Sequence, residues 1–138
     1  MFRIGLRIFF LALLVIPVAA GLGGSLIAAA SPTTVEVLTV DGTIVPVIAD
    51  YIDRGINQAE EDGATVCIIE LNTPGGLLDS TENIVQKIMN ADVPIVVYVS
   101  PKGAWAASAG TFITLSAHIA AMTPGTTIGA AHPVAAGG

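Results

Sequence analysis

An α/β fold built on a parallel sheet is predicted by three features of residues 35–129. β-branched apolar runs alternate with segments whose apolar residues recur every three or four positions, the pattern of strands joined by amphipathic crossover helices. One run, Thr65 to Leu71, is apolar throughout except at Glu70, as expected of a strand in a covered parallel sheet. Glycine-containing breaks follow the second and third runs, at the carboxyl ends where such folds gather their working groups.

Val35-Glu36-Val37-Leu38-Thr39-Val40 forms the first strand, turned by Asp41-Gly42. From Pro46 to about Glu61, Ile48, Tyr51, Ile52, Ile56 and Ala59 share one helical face, with the proline in the first turn. Asp50, Asp53, Glu60 and Glu61 occupy the other face and are read as solvated. Asp62-Gly63 ends this helix. After the Thr65–Leu71 strand and the break Asn72-Thr73-Pro74-Gly75-Gly76, the residues Leu77, Leu78, Thr81, Ile84, Val85 and Ile88 set a second helix to about Asn90. Asp79 and Ser80 fall in its first turn, where a negative charge suits the helix dipole. Pro94 opens a third strand, Ile95–Val99. Ser108 to Ser116 reads as a short helix, Ile119–Met122 as a fourth strand and Thr123–Gly129 as a loop, with Trp105 expected in the core. Right-handed crossovers then connect parallel strands.

The chain of 138 residues is 53% hydrophobic and 12% charged, more apolar than an ordinary soluble domain. Much of the excess lies at the front. Ile8 to Ala30 contains no charged residue and follows Arg3 and Arg7, the layout of a signal peptide or a membrane anchor, so residues 1–30 are set apart from a domain at 31–138. Cleavage sites are offered at Ala28-Ala29-Ala30 and at Val18-Ala19-Ala20. Either reading sends the domain out of the cytoplasm. Residues 31–138 keep three of the five basic residues and all eleven acidic ones, a net charge of −8 that repels phosphate backbones and disfavours nucleic acid as a partner. Cys67, the only cysteine, permits neither an internal disulfide nor a cysteine metal cluster and is expected to be a buried thiol. No metal or cofactor is expected. The stretch from Ala131 to Gly138 reads as an open loop, so the domain is expected to continue beyond it.

Gly103-Ala104-Trp105-Ala106-Ala107-Ser108-Ala109-Gly110-Thr111 holds one serine among small residues at a strand-to-helix junction. A nucleophile needs such a place, because small neighbours allow a sharp turn and close approach, and a helix starting there offers unpaired N–H groups to an oxyanion. A tight helix-packing surface is the plainer reading of the same run. In Asn72–Gly76, Gly75 and Gly76 carry no side chain to block a substrate carbonyl, and a backbone N–H from this loop can face Ser108.

With Glu70-Leu71-Asn72-Thr73-Pro74-Gly75-Gly76, then Gly103–Thr111, then Pro124-Gly125-Thr126-Thr127-Ile128-Gly129-Ala130-Ala131-His132-Pro133, residues 35–138 resemble the Clp-protease/crotonase superfamily, and within it the NfeD group of membrane-associated serine proteases. The resemblance implies a spiral of repeated β-α units, C-terminally incomplete here, and a Ser-Lys endopeptidase in which Ser108 is the nucleophile. It matches the N–H groups of Gly76 and Ala109 to the oxyanion hole, the backbone from Gly75 to Leu77 to the wall that holds an extended peptide, and His132 to the lining of the substrate groove. It also implies apolar substrates, including hydrophobic segments of stomatin-like membrane proteins, association with the membrane, and a homo-oligomer.

The base departs from the pattern. Serine needs a neighbour to take its proton, and the family's lysine lies downstream of Gly138, so this chain alone is expected to be inert. Of the lysines present, Lys87 lies off the apolar stripe of its helix, and Lys102 is separated from Ser108 by a loop. His118 reads as a packed or capping residue. Two rivals stand beside the protease: a non-catalytic, membrane-associated module that binds or scaffolds hydrophobic peptides, and a crotonase-like acyl-CoA enzyme, which an export signal disfavours.

Overall fold

A computed structural model describes residues 33–132. The leader expected at 1–30 and Pro133, the last residue of the third motif, lie outside the described residues.

Four strands, β1 (Val35–Asp41), β2 (Val66–Asn72), β3 (Ile95–Val99) and β5 (Ile119–Met122), form one sheet in the order β1-β2-β3-β5, and every pairing is parallel. Helices α1 (Pro46–Glu61), α2 (Leu78–Met89) and α3 (Ala109–Ser116) fill the crossovers. β4 (Trp105–Ala107) and β6 (Thr127–Gly129) pair in parallel as a separate two-stranded sheet beside the strand ends. Neither was expected. Trp-Ala-Ala and Thr-Ile-Gly are too short to carry a periodicity, and these strands exist through pairing with each other.

α1 begins with proline at its start, where no N–H is required, and is capped at Asp62 before Gly63 turns with φ 62°. Its apolar face buries Ile52, Ile56 and Ala59, and Gly55 lets the Leu38 side chain lie directly on its backbone. α2 buries Ile84 and Ile88. The Lys87 ammonium reaches Asn57 Oδ1 at 2.6 Å and Glu60 Oε2 at 3.2 Å, while Glu60 Oε1 accepts the Asp92 N–H at 2.9 Å, so α1 and α2 are tied at one edge.

Register explains the core. Leu38 pairs with Ile69 and Ile69 with Val97; Val40 pairs with Leu71 and Leu71 with Val99. All six are buried, and they share the face on which the helices pack. Each such side chain contributes roughly 1.5–3 kcal/mol. The other face differs from expectation. Val66, Ile68 and Glu70 are only half-buried and Val37 is half-exposed, so β2 is covered on one side among the described residues. Strands laid down in chain order by right-handed crossovers put every helix on the same face, and Glu70 lies opposite it.

Cys67 is buried as expected, and burial pushes its thiol up from 9.0 to about 11, with the Glu36 and Glu60 carboxylates adding to the shift. No helix among the described residues is long and apolar enough to cross a membrane.

Ile69→Ala is expected to lower the unfolding free energy by roughly 2–5 kcal/mol in urea titrations. Val37→Ala on the open face should cost about 0.5–1 kcal/mol. Equal losses would mean that both faces are packed alike. Because the folded state holds the Cys67 proton more tightly than the unfolded one, its contribution to stability is complete below pH 9.0 and declines as pH rises toward about 11. Melting curves through that range should therefore fall more steeply for the parent than for Cys67→Ala.

Candidate active site

β2 ends at Asn72, whose side chain fastens two segments to it: Nδ2 donates to Asp41 Oδ1 at 2.9 Å, and Oδ1 accepts the Trp105 N–H at 3.0 Å. Thr73, fully buried, extends the join. Its N–H donates to the Trp105 carbonyl at 2.7 Å, and its carbonyl accepts the Ala107 N–H at 3.1 Å. Its hydroxyl accepts the Gly75 N–H at 3.1 Å and lies 3.2 Å from the Gly75 carbonyl, closing the turn through Pro74. The two loops singled out in the sequence are thus bonded to each other.

Gly75 lies directly under the serine. With φ 125°, a Cβ placed on it would stand 2.9 Å from Ser108 Cβ and 3.4 Å from Ser108 Oγ. Gly76 pairs in parallel with Ile44: the Ile44 N–H donates to the Gly75 carbonyl and the Leu77 N–H to the Ile44 carbonyl, each at 2.9 Å. That pattern turns the N–H and C=O of Gly76 itself away from Ile44, and Gly76 lines a cleft. A side chain on Gly76 would collide with the Ile44 carbonyl.

Ser108 immediately precedes α3 with φ 50° and ψ −110°, a conformation that costs a non-glycine residue on the order of 1–3 kcal/mol. Its side chain makes no capping hydrogen bond. The Ser108 N–H donates to the Gly129 carbonyl at 2.8 Å, and the Ala109 N–H is the first of the donors that a helix start leaves unpaired. Gly110 also packs: a Cβ there would come within 2.6 Å of Thr73 Cγ2. The packing reading of the small-residue run therefore applies at Gly110.

A cleft of about 440 Å³ brings Gly76, Ser108, Ala109 and His132 together, with Leu78, Thr81, Phe112 and Ala131 completing its walls. Leu77 does not line it. α2 starts one residue later, so Leu77 precedes the helix and Leu78, 69% exposed, faces the cleft. Phe112, 51% exposed, lies one turn beyond Ser108 on α3; that i, i+4 spacing could have marked it as a wall residue. Trp105 departs from the core position expected of it and is 54% exposed, because β4 turns Ala106 inward and its neighbours therefore face out.

The other basic residues stand elsewhere. Lys87 is held by Asn57 and Glu60, and the Lys102 side chain lies near Gly125, where an added Cβ would stand 3.6 Å from it, and does not line the cleft. His118 Nδ1 accepts the Ile95 N–H at 3.1 Å and so caps the start of β3. Among the described residues no group of acidic, histidine or cysteine side chains could hold a metal ion.

The sequence profile described as NfeD1b, N-terminal domain, matches residues 34–138. The chain belongs to this family. It is 50% identical over 100 residues to the membrane-bound protease PH1510 of Pyrococcus horikoshii, covering 72% of this chain and 23% of that protein. It is 35% identical over 110 residues to the membrane protein NfeD1b of Bacillus subtilis, covering 80% of this chain and 24% of that one. The chain thus spans about a quarter of the curated relatives it matches. Among solved structures, it superposes on a serine-to-alanine variant of the 1510-N membrane-bound stomatin-specific protease with a TM-score of 0.73 at 45% identity, covering 78% of this chain and 54% of that one. It also superposes on a lysine-to-alanine variant of that protease in complex with a substrate peptide, with a TM-score of 0.72 at 49% identity, over 74% and 47% of the two chains. ClpP1 from Listeria monocytogenes shares the fold at 24% identity, with a TM-score of 0.61 over 66% of this chain and 53% of that one.

Gly75→Ala tests the contact beneath the serine in this NfeD1b-type domain. Because the added methyl meets Ser108 Cβ, any phosphonylation of Ser108 by a fluorophosphonate in the full-length protein should slow roughly 100-fold. Unchanged labelling would mean that Ser108 tolerates displacement.

Proposed function

We propose that this domain is the proteolytic part of a membrane-associated serine endopeptidase. One observation carries the reading: Ser108, in a strained turn with an uncapped hydroxyl, shares a cleft with the N–H of Gly76 and the first N–H of α3. Ser108 Oγ attacks a peptide carbonyl carbon and gives its proton to a base, and the carbonyl oxygen becomes an oxyanion held by the N–H groups of Gly76 and Ala109. Collapse breaks the C–N bond, the leaving amine takes up the proton, and water then hydrolyses the acyl-enzyme. Removing one oxyanion donor in such a site commonly costs about 10²–10³ in rate.

The base is a lysine beyond Gly138, and the 138 residues alone are inert. Lys87 is held by Asn57 and Glu60, neither Lys87 nor Lys102 lines the cleft, and the 1510-N protease was studied with alanine in place of one serine and of one lysine, which supports a Ser-Lys pair. Gly75 and the adjoining backbone to Leu77 support an extended peptide, and His132 lines the groove. Exposed Leu78 and Phe112 favour apolar peptide side chains. Hydrophobic segments of stomatin-like membrane proteins are therefore the proposed substrates, in line with the specificity named for the 1510-N protease. Residues 1–30 export or tether the domain outside the cytoplasm, and it acts as a homo-oligomer.

The test is fluorophosphonate labelling of the full-length protein with mass-spectrometric mapping. Ser108 should carry the label, and Ser108→Ala should lose both labelling and peptide cleavage while keeping its melting temperature. His132→Gln should still label. A folded full-length protein that does not label at Ser108 would instead be a peptide-binding module, and binding of an acyl-CoA would point to the crotonase-like alternative.

A further inference from the structure

Ser108 holds a backbone conformation that a serine does not adopt unaided, so something nearby must fix it. Four polar contacts converge on one side chain and its own amide. The Thr111 N–H donates to the Ser108 carbonyl at 3.0 Å. The Thr111 hydroxyl oxygen accepts the Gly129 N–H at 3.1 Å and lies 2.7 Å from the Gly129 carbonyl and 2.9 Å from the Ala106 carbonyl. The Gly129 carbonyl, in turn, accepts the Ser108 N–H at 2.8 Å. Both peptide groups flanking the serine Cα are thereby held, one directly by Thr111 and the other through Gly129.

The hydroxyl has one hydrogen and two acceptors within reach. It therefore joins the middle of β4 to the end of β6. Thr111 is buried, and its hydroxyl is part of this ring.

We propose that Thr111 is a positioning residue: its hydroxyl locks Gly129 against α3 and so holds Ser108 Oγ at the angle needed for attack, without touching substrate. The inference rests on the reading of Ser108 as the nucleophile. Valine at this position keeps the shape, leaves the Gly129 N–H without its acceptor and frees Ser108 to relax from φ 50°.

The experiment uses the full-length protein and reads the second-order rate of fluorophosphonate labelling at Ser108, together with kcat and KM for an apolar peptide and the melting temperature. Thr111→Val should label roughly 10- to 100-fold more slowly and lose kcat with little change in KM. Thr111→Ser should label near the parent rate. Thr114→Val is the structural control: Thr114 is also buried and its Oγ1 donates to the Gly110 carbonyl at 2.7 Å, but it bonds to neither Ser108 nor Gly129. It should lower the melting temperature and leave labelling intact. If Thr111→Val does not fold, Thr111→Ser is compared with Thr111→Ala; labelling that follows the hydroxyl supports the proposal, and equal loss in both overturns it. Parent-rate labelling of a folded Thr111→Val overturns it while leaving Ser108 as nucleophile. A parent that fails to label at Ser108 removes the nucleophile, and the proposal with it.

Discussion

Four strands laid side by side in chain order, all parallel, determine most of what this domain can do. Parallel neighbours require crossovers, right-handed crossovers in a sheet that never reverses its order place every helix on one face, and each β-to-α loop then emerges at the same end. Leu38, Ile69 and Val97, aligned by register, anchor that arrangement from beneath the helices. The loops after β2 and β3 meet because adjacent strands deliver them to adjacent places.

Their meeting is made of backbone more than of side chains. Thr73 bonds the first loop to β4, Gly129 bonds β6 to Ser108, and Gly75 and Gly110 are the points where a methyl group would not fit. The short β4–β6 sheet is therefore the frame on which the cleft is built, although it adds little to the core. A serine held at a positive φ needs such a frame, since the free energy stored in its backbone must be offset by surrounding bonds.

Strands β1, β2 and β3 and the three helices lie where apolar spacing placed them, because their periodicity follows from the face they bury, and β5 lies at its expected place although none of its residues is buried. β4 and β6 were invisible for the opposite reason: their residues are chosen for close approach, and pairing alone makes them strands. The uncovered face of the sheet was also illegible, since half-buried Val66 and Ile68 look the same in sequence as fully buried residues. Trp105 was misplaced because size predicts burial only where the strand turns the side chain inward. Ser108, Gly76, Ala109 and His132 could be singled out from their motifs, and the structure gathers them in one cleft. Thr111 was passed over, as its role depends on a bond to Gly129 eighteen residues away.

The Ile44–Gly76 pairing has a mechanical consequence. Ile44 is fully buried against the core, yet its peptide groups brace the Gly75–Leu77 segment, whose Gly76 lines the cleft. The packing beneath β1 and the position of Gly76 are therefore two ends of one stiff lever, and a core substitution that lets Ile44 settle by a fraction of an ångström would be read out at the cleft before it was seen in the overall fold.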